Sequence, residues 1–280
     1  MLVKNLYSLS VYWSGLYAMV RSWHRFRGNR AAILLHHRVN DYSGDVLTTD
    51  TETFAAQLLA IRARYPTIDT DALVTSLSDK LPFPATSVAI HFDDCYRDIY
   101  LNAAPILEAA AVPAALFVSS GFIDTERSFD HDVERYPFVF ENLRSDDLRD
   151  WVRRGFRVGA HTVDHVDLGV CDIERARTEI VESGRHLAEV LGCPVPLFSF
   201  PFGAVRNIRR ETAEIVVRSS YKALFSAHGG FVKASTELSD IPRIGCNGDT
   251  LPLYLMLELE GLSPNRIAGR IKSVRIKKTG

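Results

Sequence analysis

The chain has 280 residues, 46% of them hydrophobic, and a formal net charge of −1. That is long enough for one large domain with a sizeable core, and the composition is ordinary for a soluble globule. The charge is uneven: residues 1–40 and 266–280 carry six Lys/Arg each and no acid, which leaves the middle acidic, so that no basic face with interleaved aromatics arises there and nucleic acid is not an expected partner.

At the N-terminus Leu6, Leu9, Trp13, Leu16, Val20 and Trp23 recur at alternating spacings of three and four. That pattern predicts an apolar stripe along a helix, with Ser8, Ser10, Ser14, Arg21 and His24 on the opposite side. No small-residue cleavage site follows it, which argues against a signal peptide. The stretch is short and interrupted by serines, which argues against a membrane span. Two readings stand: a helix docked on the body, or an interfacial anchor with Trp and Tyr at headgroup level and the arginines on anionic lipid. The basic segment 266–280 either joins the same surface or frays into solvent. The expected organisation is an extension over 1–30, a domain over 31–262 and a basic tail over 263–280.

From residue 31 short apolar runs alternate with amphipathic stretches. Strands are expected at 31–36, 87–92, 114–119, 156–160, 197–201, 221–226 and 240–244, and helices at 52–64, 70–79, 98–111, 145–154, 172–191, 206–219 and 250–260. Pro113, Gly155 and Gly192 punctuate these runs as breakers do. Alternation along the whole chain predicts an α/β fold with mainly parallel strands. About seven units suit a (β/α)7-type barrel, and no glycine-rich dinucleotide fingerprint follows the first strand. A long insertion, 122–144, is expected to shape a substrate groove. The four cysteines are widely spaced without a C-x-x-C; a reduced compartment is the simpler reading and two disulfides the alternative.

The chemistry gathers at strand ends. The second run closes on Asp93-Asp94. Two adjacent carboxylates that face one cavity need a cation or a shared proton between them, and an exposed helix-capping turn is the plainer alternative. The fourth run leads into His161 and His165, spaced i, i+4, which from a helix or tight loop can reach one ion. Two neutral imidazoles and a carboxylate make a His₂Asp site for a divalent metal with room for water. The first run ends in His36-His37, the fifth in Pro201-Phe202-Gly203, and the seventh carries Arg243. In a parallel barrel all these ends share one face.

These residues resemble the NodB-type polysaccharide deacetylases, carbohydrate esterase family 4. The family's T-F-D-D-G motif corresponds to His91-Phe92-Asp93-Asp94-Cys95, its H-[ST]-x-x-H to His161-Thr162-Val163-Asp164-His165, and its R-x-P-Y-G to Ser199-Phe200-Pro201-Phe202-Gly203. The likeness covers roughly residues 31–245. It implies a distorted barrel of about seven strands. Asp94, His161 and His165 would hold Zn²⁺ or another divalent ion such as Co²⁺ or Ni²⁺. Asp93 would be the general base. His37, in a stretch similar to the L-x-Y-H of a branch acting on poly-N-acetylglucosamine, would be the general acid. The Phe202 amide, between Pro201 and Gly203, would hold the oxyanion. Three departures stand out: Cys95 replaces Gly, Ser199 and Phe202 replace Arg and Tyr, and His91 replaces Thr. Arg243 is the candidate substitute for the missing Arg, against the plainer reading of a surface ion pair. His91 reads as a core histidine bonded to backbone.

The implied activity is metal-dependent removal of N-acetyl groups from an amino sugar in a polysaccharide or lipid-linked glycan. A deformylase or cyclic-imide hydrolase on the same scaffold, and a carbohydrate-binding relative without catalysis, are the alternatives. Basic amphipathic ends without a signal peptide lead to an expected place in the cytoplasm, peripheral on the inner membrane face.

Overall fold

Continuous apolar runs make the strands because both faces of a barrel sheet are buried. In the computed structural model, which describes residues 2–27, 30–42, 45–83, 85–264 and 266–267, the strands are β1 (Arg30–His36), β2 (Ser87–Phe92), β3 (Ala114–Val118), β4 (Arg157–Ala160), β5 (Leu197–Ser199) and β6 (Ala223–Ser226). Each runs parallel beside the next in that order. The last, β7, is in two pieces, Ile241–Pro242 and Ile244–Gly245. Its first piece pairs with β6 and its second with β1, both parallel. One stretch of chain thereby joins both edges of the sheet, with Arg243 at the junction. The expected mainly parallel seven-strand barrel is what forms. β5 is shorter than expected because Pro201 has no N–H to extend a ladder.

Alternation along the strands divides the core. Ala31, Ile33, Ala89, Ala115, Phe117, Leu197, Ala223 and Phe225 fill the barrel interior. Ala32, Leu34, Val88, Ile90, Leu116 and Val158 meet the outer helices. These are α3 (Thr51–Arg62), α4 (Thr70–Ser78), α5 (Ala104–Ala109, entered through a wider turn at Ile99–Ala103), α6 (Ser145–Arg153), α7 (Ile173–Leu191), α8 (Arg210–Arg218) and α9 (Pro252–Glu260). α4 sends Leu73 and Leu77 into the interior cluster. His91 is there too, packed at a tilt against Phe117 and edge-on to Phe225 and bonded at Nε2 to the Thr70 hydroxyl, 3.1 Å away, rather than to the expected backbone group. The four cysteines are free.

The N-terminal stripe becomes two helices, α1 (Leu2–Trp13) and α2 (Leu16–Arg27), broken at Gly15, whose φ of 79° glycine adopts without strain. Both helices dock on the body, but of the apolar stripe only Val20 packs against the core. Ser8, Val11, Tyr17 and His24 are the buried side chains. The Tyr7 hydroxyl donates to the Leu262 carbonyl (2.8 Å), and Arg21 to the Arg64 carbonyl (2.8 Å). Glu260, buried at the end of α9, takes His24 on one oxygen and the Tyr65 hydroxyl on the other, at 2.5 and 2.6 Å. A buried carboxylate requires such partners, and it selects the polar side of α2. Leu6, Leu9, Trp13, Leu16 and Trp23 are left facing outward. Most of the expected basic tail, from residue 268 on, lies outside the described residues.

Candidate active site

At the end of β2 the chain must turn two neighbouring acids into one cavity. It does so at Asp94, whose φ is 80°. Cys95, where the family has Gly, is buried and its backbone is not left-handed, so the cysteine is accommodated there without strain. Both carboxylates line the same cavity of about 440 Å³.

Asp93 is clamped. Arg243 Nη1 and Nη2 donate to its two oxygens at 2.7 and 2.6 Å, and the Ser199 hydroxyl adds a bond of 3.1 Å. Arg243 is fully buried and also donates to Ser199 Oγ (2.6 Å) and the Ser226 carbonyl (3.0 Å). Burial pushes the Asp93 carboxyl up, but the Arg243 charge, followed by His161, overrides it and holds the group below the usual carboxylate range. The fork fixes the plane of the carboxylate. The position that departs from the family's third motif, Ser199, thus joins the arginine that comes from β7 instead.

Asp94 faces the two histidines. Its Oδ1 lies 3.2 Å from His165 Nε2 and 3.6 Å from His161 Nε2. The ligand-type atoms of the three residues fall within 4.8 Å of one another. Ligands at ~2.1 Å around a tetrahedral ion stand roughly 3.4 Å apart, so the spacing is that of a preformed site. Burial raises the Asp94 carboxyl, and His165 and His161 outweigh this and hold it well below its ordinary value. Its Oδ2 is buried without a partner. His161 Nδ1 donates to the Ser199 carbonyl at 2.8 Å, which turns the Nε2 lone pair toward Asp94. Asp94 Oδ1 clusters with two imidazole nitrogens while Oδ2 is left without a partner, an arrangement that fits a divalent metal.

His161 and His165 come from a loop, not a helix. Thr162 (φ 64°) and His165 (φ 54°) are both left-handed. The loop is held from below by Glu179 of α7, which accepts from the Val163 and Asp164 amides at 2.9 and 2.8 Å. From β5, Phe202 (φ 61°) packs its ring 4.9 Å from that of His165. Its amide donates no hydrogen bond among the described residues and is free to meet a ligand. Gly203 is required: a Cβ there would meet the Ala227 nitrogen at 2.5 Å. His37 is half-buried on the cavity wall; burial lowers its pKa more than Asp94 and Asp93 raise it.

The structure therefore brings together Asp93, Asp94, His161, His165, Arg243, His37 and Phe202. His131 reaches the cavity from the 122–144 insertion, and so do three residues the sequence reading did not single out: Arg135 of the same insertion, and Arg206 and Asn207 from the turn after Gly203. Tyr96 holds His131, its hydroxyl 3.0 Å from His131 Nε2. Asp130-His131-Asp132 within the long insertion was the one available signal.

The family model described as Polysaccharide deacetylase matches residues 80–222, just over half of the chain. The chain is similar to the provisionally named polysaccharide deacetylase YxkH of Bacillus subtilis (strain 168), 21% identical over 229 residues that cover 80% of this chain and 75% of that protein. Among solved structures it is similar to the Streptococcus pyogenes deacetylase PplD, determined in complex with acetate, with a TM-score of 0.69 and 22% identity over 82% of this chain and 98% of that one. IcaB from Ammonifex degensii gives a TM-score of 0.67 and 21% identity over 83% of this chain and 98% of its own. Both share the barrel.

Proposed function

Because the chain belongs to the polysaccharide deacetylase family, we propose that it is a divalent-metal-dependent hydrolase that removes the N-acetyl group from an amino sugar of a glycan, with zinc as the metal. The observation that carries this is the close cluster of Asp94 Oδ1 with His161 and His165 Nε2, with Asp94 Oδ2 buried and unpartnered, beside a separately clamped carboxylate. Asp94, His161 and His165 would hold the ion. When bound, it polarises the amide carbonyl and lowers the pKa of water.

The remaining chemistry belongs to the chain. Asp93, fixed by Arg243 and kept ionised, takes the proton as water oxygen bonds to the carbonyl carbon. The Phe202 amide stands ready for the oxygen that gains charge. His37 carries a proton to the nitrogen as the C–N bond breaks, so acetate and a free amine leave. Held below its ordinary pKa, His37 gives up a proton readily once it has one.

Metal content and acetate release from N-acetylglucosamine oligomers should be measured together, for wild type and His165→Ala reconstituted with Zn²⁺. About one ion and turnover in wild type, with both largely lost in the variant, is the expected result. A wild type without bound ion, or turnover that survives chelation, would sink the reading.

We further infer that α1 and α2 rest on an anionic membrane surface of the kind the cytoplasmic leaflet presents. Phe26 is 88% and Trp13 79% exposed, and Leu6, Met19 and Trp23 are exposed beside them. Residues 1–40 hold no acid. Such a face sinks to the acyl boundary while arginines meet the headgroups. No described helix is long and apolar enough to cross a membrane. Flotation with vesicles containing phosphatidylserine should carry the protein, and Trp13→Ser with Phe26→Ser should release it. Wild type that stays at the bottom of the gradient would refute the contact.

A further inference from the structure

Most cations near the catalytic end of the barrel are neutralised by a carboxylate of the same chain. Arg243 lies on Asp93, Arg38 on Asp132, Arg127 on Asp164 at 2.7 Å and Arg175 on Glu179 at 3.6 Å. Arg135 and Arg206 break the pattern. Both line the catalytic cavity, and both are exposed at its rim. Among the described residues no carboxylate lies within 4.0 Å of either guanidinium, and neither side chain donates a hydrogen bond. They arrive from separate loops. Arg135 follows the helical turn Asp130–Val133 of the insertion, and Arg206 sits in the turn Val205–Asn207 that follows Gly203.

The cavity offers them no internal partner. Its lining carboxylates are Asp93 and Asp94. The first is held by a fork of two short bonds from Arg243, and the second faces His161 and His165. Two uncompensated guanidiniums at the mouth of a low-dielectric cleft focus a positive potential into it. A guanidinium presents paired N–H donors that match carboxylate or phosphate oxygens. Val46, Leu47, Ala204 and Ala227 line the same cavity and offer apolar contact to a sugar ring. A neutral glycan would use this apolar wall and leave both cations without a counter-charge.

We propose that Arg135 and Arg206 form an anion subsite, so that the acylated sugar this site accepts carries an anionic oxygen group, a phosphate ester or a carboxylate, on the reacting residue or its immediate neighbour. The substrate assignment rests on the deacetylase reading above; the subsite itself rests on the two arginines. It narrows the substrate from any N-acylated glycan to one bearing phosphate or acid, and the two sources are separable.

Three probes decide it: N-acetylglucosamine 1-phosphate, N-acetylmuramic acid as the carboxylate, and methyl N-acetylglucosaminide as the neutral control. Their binding to metal-free full-length protein is measured by calorimetry, so that no ion can take the anion. Wild type is compared with the double variant Arg135→Ala/Arg206→Ala. At least one anionic probe should bind tenfold or more tighter than the neutral one. That preference should weaken as salt rises. It should fall to within about threefold in the double variant. The tighter of the two anions identifies phosphate or carboxylate as the group. Acetate release by the Zn²⁺-loaded proteins is then followed as a ratio of kcat/KM, anionic over neutral, which should fall in the same variant. Equal binding of all three probes, binding of none, or a preference that survives in the double variant overturns the subsite. Anion-dependent binding with no acetate release from any probe would instead leave the subsite standing and remove the deacetylase chemistry. Both residues are exposed, and circular dichroism of the variant should match wild type.

Discussion

Arg243 and Arg38 are both fully buried and both clamped by carboxylates, yet they serve different ends. Arg243 commits its fork to one acid, Asp93, whose carboxylate also lines the catalytic cavity. Arg38 divides its donors between Asp132 at 2.8 Å and Asp45, and lies over the rings of Phe140 (4.1 Å) and Tyr96 (4.8 Å). The other Asp132 oxygen takes the Tyr96 hydroxyl at 2.6 Å. Asp132 does not line the cavity, although its neighbours His131 and Arg135 do. A buried arginine–aspartate pair is therefore no sign of catalysis by itself. What separates the two is where the carboxylate can act: Asp93 reaches into the cleft, while Asp132 ties the 122–144 insertion to the segment after β1.

Substitutions should separate the pairs in the same way. Asp93→Asn should lower acetate release by roughly 10²–10⁴-fold, the range of a general base, while the bound ion remains. Arg243→Met should cost turnover on a comparable scale with the ion still bound. Intact activity in either would place the base elsewhere. Arg38→Met should act chiefly on stability. Leaving Asp132 and Asp45 without their cation should cost about 3–5 kcal/mol, read as a lower melting temperature, with metal content unchanged. If it instead emptied the metal site at full stability, the distinction would fail.

Glu179 supplies a smaller test. Glu179→Gln weakens the two amide bonds that hold the His165 loop, so metal affinity should fall by about 10–100-fold with little loss of fold. A competition titration with a chelator measures it.

The smallest effect concerns Asp98, a half-buried acid whose Oδ1 is buried without a partner and which has no guanidinium on it. Burial pushes its carboxyl up to about 6, despite the Asn40 amide. The folded chain then binds a proton that the unfolded chain releases near its ordinary, lower pKa. Between those values stability falls as pH rises, and above about 6 the whole penalty is present. Asp98→Asn should therefore stabilise the protein by about 1–3 kcal/mol at pH 8 and hardly at all at pH 4. Equal gains at both values would show that the carboxyl is not strained by burial.

The barrel could be read from the chain because strands buried on both faces leave unbroken apolar runs. The candidate metal triad could be read because His161 and His165 are four residues apart and Asp94 follows the end of a strand. Contacts across long separations were less accessible. Arg243 could be nominated only from its place at the end of the last strand; its fork on Asp93 spans 150 residues. Arg38 and Arg135 gave no local signal, since the insertion that sets their surroundings has no periodicity to read, and Arg206 sits in a short irregular turn that has none either. At the N-terminus the apolar stripe was plain, but its direction was not. The face that docks was selected by Glu260, far along the chain.

β7 has one more consequence, in the order of synthesis. The ribosome makes Asp93 150 residues before Arg243. Until β7 emerges, the sheet is not closed and Asp93, the proposed base, lacks its guanidinium, and a carboxylate without that partner resists burial. The last strand therefore does two things in one step: it joins the sheet's edges and neutralises the group at its centre. Competence for chemistry should arrive late and all at once, and a nascent chain stopped before Ile241 should have neither a completed sheet nor a working base.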